Sequence, residues 1–264
     1  SAAYYLGLAF NVKAESLRSD PEKPASSDYI KYRKMCAEYM FQHCDKSGFN
    51  SFTNLKNVCE WYKELGDLGE PGFTELARAK YELLIKEFEK NADYKEEIYS
   101  SVYRGYGEVL LKLQDFIAAK PIWLRLLNAN KKSISVLRQT AHCLGGWLEY
   151  KDGNFIEIPG AGVYMPDPAE GDRDPQKIYL DTAIGIWQYL RKGIEDSGEK
   201  YTPDWWEAKF NTVYACYRGG QQYPDQLEQT LRIIENQRLF REDMGGNEWR
   251  KKFSYIEKAI KNRR

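Results

Sequence analysis

The side chains able to do chemistry are few and poorly grouped for it. Only two histidines are present, His43 and His142, and each precedes a cysteine, Cys44 and Cys143. Imidazole beside thiolate is a zinc donor set. Adjacent residues on a helix point about 100 degrees apart, however, so neither pair converges on one ion, and the two pairs fall layers apart in a helical chain. No metal is expected. Four carboxylates, Asp167, Glu170, Asp172 and Asp174, crowd one irregular stretch. Their spacing does not match an EF-hand calcium loop and no partner motif supports acid–base work by a pair of them, so a solvated acidic loop is expected. Gly105-Tyr106-Gly107 lies in a helical pattern rather than after a strand, the wrong context for a nucleotide loop. The sequence holds no Walker lysine motif, no GxSxG and no HExxH. The expectation is a non-enzymatic chain with no cofactor. Trp205-Trp206 follows Pro203-Asp204, and a tandem pair on a helix should turn one ring outward, where it can stack on a sugar.

Composition narrows the partner classes. Lys+Arg and Asp+Glu balance at 39 each, so no field of one sign draws in nucleic acid or an anionic membrane. The basic Lys251-Lys252 and Lys261 to Arg264 suit the last turns of a C-terminal helix. A mean hydropathy of -0.68 with 42% apolar residues is polar for a compact globule and suits a body with much solvated surface. The 20 tyrosines and 7 tryptophans are read mainly as packing between thin helical layers. Five cysteines, Cys36, Cys44, Cys59, Cys143 and Cys216, are odd in number and lack CxxC spacing, which argues against a disulfide framework and for buried small hydrophobes. No apolar run is long enough to span a bilayer, and the N-terminus has no signal-peptide pattern. Ser1 to Phe10 starts inside a helical pattern, as if cut from a longer polypeptide. The compartment stays open, the cytoplasm being preferred and a bacterial envelope requiring a signal upstream.

Periodicity and punctuation predict about eleven helices. The first runs to Arg18, stopped by Ser19-Asp20-Pro21; Ser27 or Asp28 caps a second through Asp45. Then come Ser51 to Leu65, Phe73 to Asn91, Tyr94 to Leu113, Asp115 to Leu127 and Lys132 to Glu149. Tyr150 to Pro175 is rich in Gly and Pro and forms an irregular insertion, and the alternation from Leu148 to Ile158 around Asp152-Gly153 predicts a short β-hairpin at its start. Helical periodicity returns over Ile178 to Glu195, Asp204 to Arg218 behind Pro203, Pro224 to Arg238 and Asn247 to Lys261.

One stretch carries a family signature. Tyr103, Tyr106, Gly107 and Leu110, followed by Phe116, Ala119, Trp123 and Leu126, place a small residue where two helices touch and large ones in the grooves beside it. This resembles a tetratricopeptide repeat. A shift of 34 residues brings Leu137, Ala141 and Leu144 to equivalent positions. Pro121 inside the second helix departs from the pattern, because it removes a backbone bond unless that helix starts late. The resemblance covers about half the chain. It implies that residues 1–264 form a single all-α, right-handed solenoid of antiparallel helix pairs, interrupted at 150–175.

The resemblance also implies a function: a scaffold or adaptor that binds a peptide or partner protein along a concave wall built from first helices. Carried over, that wall presents Arg104, Glu108, Lys112, Arg138 and His142. Their excess of cations favours an acidic or carboxylate-ended partner. The alternative is a glycan-binding or export-associated helical protein of a bacterial envelope, for which Trp205 or Trp206 supplies the stacking ring. A helical enzyme using the carboxylates of the insertion is a third reading.

Overall fold

The computed structural model describes residues 1–18, 24–165, 178–221 and 225–263. They fall into two compact units, Ser1–Asp115 and Phe116–Arg264. Among the described residues the structure is mostly helical, with eleven helices of ten residues or more, each packed on its neighbour in sequence within a unit, and one two-stranded hairpin.

The first unit contains α1 (Ala2–Leu17), α2 (Ser27–Lys46), α3 (Phe52–Asp67), α4 (Phe73–Phe88) and α5 (Tyr103–Lys112). The Ser19-Asp20-Pro21 stop lies outside the described residues. Serine hydroxyls start the first three helices: Ser1 accepts from the Tyr4 N–H, Ser26, one residue before the expected cap, from Tyr29, and Ser51 from Asn54. Each such cap is worth about 1 kcal/mol. The expected fifth helix is not one uniform rod. It opens with a 3-10 turn at Ala92–Tyr94, passes through a helical turn at Lys95–Glu97 and a π-turn at Ile98–Val102, and only then becomes α5.

Two features organise this unit. Arg33 of α2 is buried, with its charge answered by Glu15 of α1 and by Glu64 of α3 at 3.0 Å, and its remaining donors taken by Asn11 and the Tyr29 hydroxyl. A buried cation without those carboxylates would be strongly unfavourable. Second, α4 and α5 touch at Gly105, where an added Cβ would stand 2.2 Å from the hydroxyl oxygen of Tyr81. Gly107, the small residue of the sequence motif, is also buried.

The second unit contains α6 (Phe116–Ala129), α7 (Ile134–Gly145), strands β1 (Trp147–Lys151) and β2 (Asn154–Ile158), α8 (Ala183–Asp196), α9 (Pro203–Gly220), α10 (Asp225–Phe240) and α11 (Asn247–Lys261). The hairpin is antiparallel, pairing Trp147 with Ile158 and Lys151 with Asn154, and turns at Asp152-Gly153 with both residues at positive φ, as the sequence predicts. Helix α6 starts at Phe116, not late, so Pro121 lies inside it. Pro121 and Ile117, whose carbonyl loses that bond, both lie on the exposed side.

Expected boundaries move on both sides of the insertion. The seventh helix ends at Gly145 rather than Glu149, because Gly146 adopts φ 72 and ψ -165, a backbone open only to glycine. The eighth starts at Ala183 rather than Ile178, because the Thr182 hydroxyl accepts from the Gly185 N–H and defines the start. The insertion is described only to residue 165, and that part is tied down. Ala161 and Val163 donate to the carbonyls of Cys143 and Leu144 at the end of α7, while Ala183 and Ile184 at the start of α8 donate to Val163 and Tyr164.

Beyond this stitch, α9 is the central helix of the unit. Trp206, Phe210, Val213, Tyr214 and Tyr217 bury against Leu231 and Ile234 of α10 and Phe253, Ile256 and Ile260 of α11. Burying an aromatic or aliphatic side chain contributes about 1.5 to 3 kcal/mol.

Candidate functional site

In the second unit the starts of α7 and α9 meet the C-terminal half of α8. The Ser133 cap sets α7 so that Leu137 points inward while Ile134 and Arg138 stay at the surface. The Thr182 cap sets α8 so that Trp187 and Leu190 are buried and Tyr189 is exposed on the same stretch. Pro203 begins α9 with its φ already helical, carrying Asp204 and Glu207 in the first turns. Between them lies a groove of about 820 Å³, in the size range of sites that enclose a small ligand or a few side chains. Its apolar lining comes from Leu137, Ile178, Leu180, Trp187, Leu190 and Ile194.

The rim is charged and not balanced. Four carboxylates, Asp196, Glu199, Asp204 and Glu207, line it against three cations, Lys132, Arg138 and Lys192. One nitrogen of Arg138, Nη2, serves two of the acids, 2.8 Å from Asp204 Oδ1 and 2.9 Å from Glu207 Oε2. Burial raises the Glu207 carboxyl above its ordinary pKa; Arg138 pulls it down and the Asp204 charge pushes it up.

His142 of α7 packs beside Trp187 of the groove lining. Its ring makes edge contacts with Trp147 and Trp187 at 5.7 and 5.0 Å, and its Nδ1 is enclosed with no hydrogen-bond partner. Burial lowers its pKa to about 4, against the help of a backbone bond at Gly146, so it is neutral at physiological pH. The neighbouring Cys143 donates its thiol to the Phe116 carbonyl at 3.7 Å and is pushed up to about 12 by burial. Neither side chain is disposed as a nucleophile or base.

The other expected wall residues belong to the first unit. Arg104 is exposed and has no ion pair with a described residue. Glu108 pairs with Lys63 at 2.9 Å, and Lys112 reaches the Gly66 carbonyl at 2.6 Å and Asp67 at 3.0 Å. Lys112 and Arg138 therefore already carry carboxylate partners. The repeat-signature residues Tyr103, Leu110, Ala119, Trp123 and Ala141 are buried, and Tyr106 donates to Glu82 at 2.9 Å.

Both tandem tryptophans are buried, Trp205 at 3% and Trp206 at 2% exposure, so neither forms an outward stacking platform. Trp206 lies under Gly245 and against Trp205, which in turn donates its indole N–H to Glu195 at 2.8 Å. Asp167, Glu170, Asp172 and Asp174 lie outside the described residues. Among the described residues no group of three His, Cys, Asp or Glu side chains is placed to hold a metal ion, and no helix is long and apolar enough to cross a membrane.

The repeat resemblance singled out Arg138 and His142 as wall residues, but nothing in the sequence singled out Trp187, Leu190, Asp204 or Glu207 as neighbours of a site. The signal available for the last two was Pro203-Asp204 followed by Glu207, a helix start with acids on one side. No family model matches this chain, and no curated protein or solved structure matches it.

Proposed function

We propose that this chain is a non-enzymatic interaction scaffold built from tetratricopeptide-like helix pairs, and that the groove of the second unit receives a segment of a partner polypeptide. The observation that carries the reading is the groove itself: an apolar floor of Leu137, Trp187 and Leu190 under a charged rim, the anatomy of sites that bury a few side chains and orient them with polar contacts. Ile134 is 58% exposed and Tyr189 is 39% exposed at its mouth, apolar surface that folding alone leaves uncovered. The acidic polarity expected of a partner from the repeat resemblance concerns the surface at Arg104 of the first unit, which has no ion pair with a described residue, and not the segment received by this groove.

The test is an array of acetylated, amidated random peptides probed with the full chain and with Ile134→Asp. Aspartate at the first position of α7 suits the helix N-terminus, so folding survives while the groove mouth becomes polar and anionic. The reading expects a subset of peptides that bind the native chain and lose at least about tenfold in affinity to the variant. Absence of any such subset, or binding indifferent to the variant, contradicts it.

A further inference from the structure

We infer that the polypeptide segment received by this groove carries a basic side chain next to an apolar one, with the cation set against Glu207. The inference rests on the groove being the polypeptide site and adds its charge preference. Asp204 and Glu207 share a single Arg138 nitrogen, so the three side chains together keep one negative charge. The two acids are not equally served. Asp204 is exposed to solvent and stands in the first turn of α9, where the free N–H groups and helix dipole offset its charge. Glu207, three residues further along, is half-buried, with Oε2 on Arg138 and Oε1 meeting no donor among the described residues.

A second cation acting on it is Lys252 of α11, and that ammonium is engaged by Glu248 at 2.6 Å and rests over the Trp249 ring at 4.3 Å. A partly desolvated carboxylate without a cation of its own is the group in the groove that gains most from an incoming ammonium or guanidinium, because a charge-assisted bond replaces lost hydration. An acidic ligand set at Glu207 faces the reverse problem: it would meet Glu207 and Asp204, whose neighbour Arg138 is already held by both, and the rim cations left to it are Lys132 and Lys192. The floor formed by Leu137, Trp187 and Leu190 fixes the neighbour of the basic residue as apolar.

The experiment compares three random peptide series, acetylated and amidated, with one fixed Lys, Glu or Gln among apolar residues, bound to the full chain and to Glu207→Gln. The inference expects the Lys series to bind about tenfold tighter than the Gln series, and expects that preference to vanish in Glu207→Gln while the Gln series is unchanged. Equal binding of the Lys and Gln series, tighter binding of the Glu series, or a Lys preference that survives Glu207→Gln overturns it and leaves the groove as a polypeptide site. Absence of binding in all three series overturns both.

Discussion

Glu207 and Arg138 meet through one contact of 2.9 Å, and the Arg138 nitrogen that makes it also serves Asp204. Burial outweighs this shared cation, so the folded protein holds the Glu207 carboxyl above its ordinary pKa. A carboxyl raised in the folded state favours folding while protonated, and that contribution is lost as pH rises through the folded pKa. Glu207→Gln removes the cost of ionisation. The variant is therefore expected to exceed the native chain in stability at about pH 8 and to match it near about pH 4, read by urea unfolding at both values. A native chain that is the more stable at about pH 8 would show that the ion pair outweighs burial.

Gly105 and Tyr81 set the spacing of α4 and α5. In Gly105→Ala the new methyl meets the Tyr81 hydroxyl, and Tyr81 is held by full burial and a 2.7 Å bond to Glu60. Overpacking of this kind costs about 1 to 3 kcal/mol, more than the roughly 1 kcal/mol that alanine gains over glycine in a helix. Adding Tyr81→Phe removes the oxygen at 2.2 Å, so the double variant should lose less stability than the sum of the two single losses. Strict additivity in denaturation would mean that the helices yield at this point.

His142 predicts an acid limb of stability. Its pKa is about 4 in the folded chain, below the ordinary 6.5, because the ring is buried between Trp147 and Trp187. A depressed histidine supports the fold above the unfolded value, and the support is lost as pH falls towards the folded value. Over that window the native chain should lose about 1.4 kcal/mol per pH unit from this group, and His142→Phe should lack that slope. Parallel slopes in the two proteins would place the titrating group elsewhere.

The sequence was most legible where local chemistry sets structure. Serine and threonine caps, glycine stops and the Asp152-Gly153 turn mark many helix ends and the hairpin, because each acts within a few residues. Where a boundary was missed the signal was local too: Gly145-Gly146 ends α7, although the apolar pattern continues through Trp147 and Leu148. Burial that depends on distant segments was not legible. The outward face expected of Trp205 or Trp206 is covered, for Trp206 by Gly245 and Phe253, residues far along the chain. The groove was hidden for the same reason, since α7, the α8 face and the acids of α9 come together only through packing. Arg138 was legible as a surface cation, but not the pair of carboxylates that holds it.

The most direct test of the polypeptide-binding account is amide hydrogen exchange of the full chain with and without a peptide selected from the array. Added protection is expected at residues 134–138, 187–196 and 204–208, the segments that wall the groove. Protection confined to other segments, such as α1 or α10, with exchange around the groove unchanged, would contradict it.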